Sequence, residues 1–236
     1  MTDASRTRPA ESGPCGPPSR VSQNWRTNRR LATAWDRGVK SRPVAMLYGA
    51  LVFGTDNRRM YRHMAAVGRL PAGTSVLDIP SGGGVVLLGL HPDRRLRYTA
   101  ADISPQMLDR ARDEAARRGL DYVEFSEADA TALPFNDGGF DVVVSYSGLH
   151  CVPDPKASVQ EMARVVRPGG TVRGSVVVRG AGGVTDRFID LWVRLKILDV
   201  VTPVDEVLRW FSDSGLRPVH TERAGAVLYF EFTRPG

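Results

Sequence analysis

Residues 76–84 read Val-Leu-Asp-Ile-Pro-Ser-Gly-Gly-Gly, an apolar run that ends at an acid, turns through glycines and leads into Val85-Val-Leu-Leu-Gly-Leu90. A buried strand that gives way to a glycine turn and then a helix brings backbone N–H groups close to a bound ligand, a geometry used by nucleotide-type cofactors. A dinucleotide fingerprint sets its first glycine directly after the strand. Here Asp78 comes first, and a carboxylate beside the turn repels a pyrophosphate but attracts an ammonium or sulfonium. The turn therefore favours a positively charged cofactor.

Downstream, β-rich runs alternate with helical segments. Ser75–Ile79, Arg97–Ile103, Tyr122–Glu127, Phe140–Tyr146 and Thr171–Arg179 read as strands. Helices are expected over Gly82–Leu90, Pro105–Arg118 and Pro155–Val166, the last ended by Arg167-Pro-Gly-Gly170. Strands separated by helices imply βαβ units with right-handed crossovers and a parallel sheet. Two further helices, one carrying Phe188, Leu191, Trp192 and Leu195 and one over Pro203–Ser214, precede two runs that meet at Ala224-Gly225. So short a connection allows only an antiparallel hairpin.

Two further acids follow strand ends, Asp102 in Ala-Ala-Asp-Ile-Ser and Asp129 in Glu-Ala-Asp-Ala-Thr. A carboxylate at the position of Asp102 can accept both ribose hydroxyls, and Asp129 can accept from an adenine amino group or simply start the turn at Thr131. Five ordered elements, residues 76–84, Asp102-Ile-Ser-Pro-Gln-Met-Leu, Asp129-Ala with Leu-Pro-Phe135, Phe140-Asp141 and Val165-Val-Arg-Pro-Gly-Gly170, resemble those of the class I S-adenosylmethionine-dependent methyltransferases. The resemblance spans about residues 74–234 and is nearest the small-molecule group that includes the ubiquinone and menaquinone biosynthesis enzymes. It implies an α/β, Rossmann-like, mostly parallel sheet of seven strands in the order 3-2-1-4-5-7-6. Strand seven is antiparallel, with helices on both faces and an N-terminal helical lid. It also implies S-adenosylmethionine as cofactor and S-adenosylhomocysteine as product. Gly82 and Gly84 would pass under the methionine moiety beside Ser81, Ile103 and Met107 would pack on adenine or ribose, Ala130 would meet the adenine through its backbone, and Ser145 and its neighbours after strand four would face the methionine amino group. Tyr48 resembles a tyrosine that closes over the cofactor, although Gly49 replaces the acid often found beside it. Pro80 stands where the family has its first glycine, so the turn must need neither a positive φ nor a donor there.

A sulfonium is already a strong electrophile, so a base is needed only if the acceptor arrives protonated. His150, in Ser-Gly-Leu-His-Cys after strand four, is the candidate base, with a packing role as the alternative. No His, Cys, Asp or Glu set has metal-ligand spacing. Candidate acceptor-pocket residues are Trp35, Phe53, Phe188 and Trp192, joined by Met46, Leu47, Tyr61 and Leu195, whose apolar character suits a small lipophilic acceptor.

Domain organisation follows composition. Residues 1–20 read as a disordered basic leader, 21–73 as the helical lid and 74–236 as the cofactor-binding domain. Residues 1–42 hold nine Lys and Arg against three acids, which accounts for the whole net charge of +6. Such an arm permits phosphate contacts, so an RNA or protein methyltransferase is a second reading and a non-methylating S-adenosylmethionine-binding protein a third. No RNA-module signature accompanies the arm, and a small-molecule acceptor is favoured over nucleic acid. Two cysteines, no signal-like apolar leader and no run of about 18 apolar residues point to a cytoplasmic protein without a membrane span, working as a monomer or homodimer.

Overall fold

A computed structural model describes residues 38 and 40–236. The expected leader, most of residues 21–39 and Trp35 lie outside the described residues. Two helices come first, α1 (Arg42–Val52) and α2 (Arg58–Val67). Then follow β1 (Ser75–Asp78), β2 (Arg97–Asp102), α3 (Pro105–Arg117), β3 (Val123–Glu127), β4 (Phe140–Tyr146), α4 (Pro155–Val165) and β5 (Val166–Val177). The chain ends with α5 (Gly183–Arg194), α6 (Val204–Asp213), β6 (Arg217–Ala224) and β7 (Val227–Thr233).

The seven strands form one sheet in the order β3-β2-β1-β4-β5-β7-β6. Pairing is parallel from β3 through β5, and β7 runs antiparallel to both of its neighbours. The expected fold class stands. β1 is buried on both faces, as a central parallel strand must be. Alternate residues feed two cores. Val76, Tyr98 and Val144 join Met60, Met64 and Val67 of α2, Ala111 and Ala115 of α3 and Ile189 of α5 on one face. Leu77, Ala101 and Val143 join Val159 and Met162 of α4 and Val207, Trp210 and Phe211 of α6 on the other. The edge strand β6 is mostly exposed and carries Arg217, Pro218, Glu222 and Arg223, which discourage further pairing.

Local chemistry sets the element ends. Pro105 occupies the first turn of α3, and Asp154 caps α4 by accepting from the Ala157 amide at 2.9 Å. Asp141 ties three elements together, accepting from Ser75 N at 2.8 Å and from Arg167 Nε at 2.6 Å. The Arg167 guanidinium, helped by the Ser75 amide, holds its carboxyl below the usual range.

Two sequence expectations need correction. Gly82–Leu90 is not an α-helix; only Val86–Gly89 forms a short 3-10 turn. Gly82 and Gly84 have positive φ, which bars a helix there, and Pro92 closes the segment a few residues later. Backbone contact fixes the remainder, since a Cβ on Gly89 would lie 2.5 Å from the Met64 carbonyl of α2. The expectation of a helix N-terminus beside the ligand goes with it. The second correction concerns the Arg167-Pro-Gly-Gly170 stop signal. It lies inside β5: Val166 pairs with Phe140, Thr171 with Val142, and the residues between them are absorbed as an irregularity in the strand.

Candidate active site

The site is built on one row of residues across the strand ends. Tyr146 of β4 pairs with Ser175 of β5, and Ser175 pairs with Tyr229 of β7. Asp78 pairs with both Ala100 and Val144, so two residues further along each strand Asp102, Pro80 and Tyr146 stand side by side. All five line one cavity of about 440 Å³. Four strand spacings separate β2 from β7, a span of roughly 19 Å. The cavity lies over the carboxyl ends of the parallel strands, where the connections leave the sheet in opposite directions, the usual ligand crevice of open α/β sheets.

At the β2 end, the Asp102 carboxylate accepts from Gly82 N at 2.8 Å through Oδ2 and from Ser104 N at 2.9 Å through Oδ1. Burial raises its pKa to about 6, against the opposing pull of those two amides. Each oxygen keeps a second lone pair for a ligand hydroxyl. Ser81 Oγ and Ser104 Oγ are buried on the same wall without a partner, and Ile103 and Met107 supply apolar surface next to them. A Cβ added to Gly82 would meet nothing within 4 Å, so its open side is a cradle rather than a packing contact. Unspent acceptors, orphaned hydroxyls and an open glycine fit an adenosyl group carrying an amino acid. Pro80 is accommodated by direct contact with Gly148, where a Cβ would come 2.5 Å from the proline Cδ.

Other expected cofactor residues sit behind this wall. Asp78 is 1% exposed and does not reach the cavity; its Oδ2 accepts from the Tyr98 hydroxyl at 2.8 Å. Burial raises its pKa to about 8, with the Tyr98 hydrogen bond pulling down and nearby Asp102 pushing further up. Gly84 packs instead of cradling, since a Cβ there would lie 2.7 Å from Leu87 Cδ1 and 3.2 Å from Ala111. Asp129 Oδ1 accepts from both Thr131 N and Thr131 Oγ1, the turn-starting role. Neither Ala130 nor Ser145 lines the cavity, and Ser147 and Gly148 do so in place of Ser145. Ser147 holds φ at 55°, an unusual conformation for a residue with a side chain.

The β5–β7 end is apolar and aromatic. Tyr48 of α1 stacks on Trp192 of α5 with ring centroids 5.2 Å apart, and Phe53 meets both edge-on at 5.3 and 5.9 Å. Gly49 now has a reason: a Cβ there would strike the Asn57 side chain, which donates to the Ala45 carbonyl at 2.6 Å and lines the cavity. Phe188 is a correction, being 40% exposed and off the cavity. Met46, Leu47, Tyr61 and Leu195 are likewise not on its wall. Sequence reasoning did not single out Asn57, Tyr146, Ser175, Val177 or Tyr229. Those on β5 and β7 become neighbours only through strand register.

His150 lies between the two ends. The Val177 amide donates to its Nδ1 at 3.1 Å. An amide cannot act as acceptor in return, so the neutral ring carries its proton on Nε2. Burial lowers the pKa to about 4 and keeps the ring neutral. His150 thus has its lone pair already engaged and its one N–H on Nε2, an arrangement that runs against the general-base expectation. Burial pushes the neighbouring Cys151 thiol up to about 12. Among the described residues no group of His, Cys, Asp and Glu could hold a metal ion.

This sheet order with this crevice agrees with the resemblance to the class I S-adenosylmethionine-dependent methyltransferases. Residues 77–173 match the family model described as a methyltransferase domain. An uncharacterised protein of Mycobacterium tuberculosis is 40% identical over 111 residues, covering 46% of this chain and 39% of the relative. The 27-O-demethylrifamycin SV methyltransferase of Amycolatopsis mediterranei is 32% identical over 181 residues, covering 75% of this chain and 64% of the relative. The chain thus spans between 39% and 64% of the length of these curated relatives. The solved geranyl diphosphate C-methyltransferase of Streptomyces coelicolor shares the fold, with a TM-score of 0.63 at 13% identity over 75% of this chain and 79% of that one.

Proposed function

We propose that this protein transfers a methyl group from S-adenosylmethionine to a small, lipophilic acceptor by in-line displacement. The observation that carries the reading is the single cavity that joins the Asp102–Gly82 corner to the Tyr48–Phe53–Trp192 wall across the strand ends. When bound, the cofactor supplies an electrophilic methyl on a sulfonium. The chain's own residues do the positioning. Asp102 takes the ribose hydroxyls, the backbone of residues 81–83 follows the amino-acid portion, and Ile103 and Met107 pack on the adenine or ribose. Tyr48, expected to close over the cofactor, stacks on Trp192 and with it, Phe53 and Met60 holds the acceptor's apolar body and excludes water. Alignment of this kind is worth about 7–11 kcal/mol, and it suits a site in which His150, the candidate base, has its lone pair engaged.

Acceptors named for the relatives support a lipophilic class. One acts on a rifamycin, and a rice protein 30% identical over 166 residues is a 2-methyl-6-phytyl-1,4-hydroquinone methyltransferase. We place the protein in the cytoplasm, as a monomer or homodimer; among the described residues no helix is long and apolar enough to cross a membrane. The test is transfer of radiolabelled methyl from S-adenosylmethionine to a panel of lipophilic phenols and hydroquinones, with tRNA and basic peptides in parallel. Label entering an apolar product supports the reading. Label confined to tRNA or peptide, or to nothing while S-adenosylhomocysteine binds, overturns it.

A further inference from the structure

Among the described residues, three polar groups on the acceptor side of the cavity have no hydrogen-bond partner: Tyr146 Oη, Ser175 Oγ and His150 Nε2. All three residues are at most 4% exposed. They are also neighbours. Tyr146 and Ser175 are paired across β4 and β5, and His150 is fastened to Val177, two residues beyond Ser175 on the same strand face. Their surroundings are apolar or aromatic, with Val177, Val227, Ile197, Trp192 and Phe53 on the same cavity. A hydroxyl or ring N–H covered by an apolar occupant and left unpaired costs about 1–3 kcal/mol, so three together discriminate against occupants that lack a polar atom.

We propose that these three groups form a binding subsite for one oxygen of the acceptor, so that the protein selects lipophilic molecules bearing a hydroxyl or phenol. His150 Nε2–H donates to that oxygen, and the oxygen's own proton goes to Ser175 Oγ or Tyr146 Oη. Val177 N–H is the positioning group, because by occupying Nδ1 it sets the tautomer that makes Nε2 a donor. The subsite deepens the reading above, which supplies the acceptor class, but it is built from the chain's own residues and can be tested without methyl transfer.

The experiment titrates the full-length protein, saturated with S-adenosylhomocysteine and also without it, with 2-naphthol and with naphthalene, two probes of nearly equal apolar size. The wild type should prefer 2-naphthol by about tenfold or more. Tyr146→Phe and Ser175→Ala should each reduce that preference, and the double variant should bring it to within about threefold of unity. Thermal midpoints of these variants should be unchanged or higher, because the deleted hydroxyls leave no partner behind. His150→Gln, which keeps an N–H donor in the region of Nε2, should retain more of the preference than His150→Leu. Equal binding of the two probes by the wild type overturns the proposal. So does a loss of stability in Tyr146→Phe or Ser175→Ala with the preference intact, since the hydroxyls would then serve the fold. Failure of S-adenosylhomocysteine to bind, with the naphthol preference present, counts against the methyl-transfer reading and leaves the subsite standing.

Discussion

Replacing Asp78 by asparagine tests the placement of this acid behind the cofactor turn. The unfolded carboxyl ionises near 3.8, whereas burial in the folded protein holds its proton until about pH 8. Between those values folding takes up a proton, so the contribution of Asp78 to stability falls as pH rises through that window and is lowest above about pH 8. At pH 7 the gap is about three pH units, which corresponds to at most about 4 kcal/mol. Asparagine keeps an acceptor for the Tyr98 hydroxyl and has nothing to ionise. Urea unfolding midpoints of both proteins, measured from pH 4 to pH 8.5, should diverge steadily, with the variant gaining up to about 1.4 kcal/mol per pH unit. His150 works in the opposite sense: its pKa is lowered to about 4, so its contribution is complete above its unfolded value near 6.5 and is lost as pH falls through 4. It is common to both proteins and cancels in the difference. Any constant offset from the new amide is independent of pH. A flat difference would mean an ordinary, solvated carboxylate and would refute the burial argument.

Three further outcomes are expected. Trp192→Ala should weaken lipophilic acceptor binding by about ten- to a hundredfold through lost apolar contact while changing S-adenosylhomocysteine affinity less than about threefold; equal losses in calorimetric titrations would indicate a fold defect. Gly225→Val places a Cβ within 2.2 Å of the Phe53 carbonyl at a residue with φ of 58°, so the melting temperature should drop by roughly 5 °C or more, whereas an unchanged value would mean that the hairpin tip does not rest on the end of α1. Deleting residues 1–20 should leave turnover of a small acceptor unchanged between about 50 and 200 mM salt, and a steep salt dependence abolished by the deletion would favour a phosphate-bearing substrate.

Sequence patterning carried the fold class a long way, since alternating β and α segments imply a parallel sheet and the short connection a closing hairpin, while the strand order came from the family resemblance. Single side chains were less legible. Asp78 and Asp102 both end strands, but only register shows that Tyr98, on the same face one strand over, is placed to take Asp78 as its partner. In α5 two apolar stripes overlap, and the structure buries the one centred on Ile189 and Trp192, leaving Phe188, Leu191 and Leu195 outward. Periodicity alone cannot choose between stripes one residue apart. The three glycines at 82–84 look alike in sequence, yet Gly82 faces open space and Gly84 touches Leu87 and Ala111. The proton position on His150 came from the Val177 amide, a neighbour 27 residues away that no motif records.

A cocrystal structure with S-adenosylhomocysteine is the most direct test of the central claim. The ribose hydroxyls should lie within hydrogen-bonding distance of the Asp102 carboxylate, the amino-acid chain beside the open face of Gly82, and the sulfur directed toward the Tyr146–Trp192 half of the cavity. Density for the ligand anywhere else, or an Asp102 side chain turned away from the ribose, would contradict it.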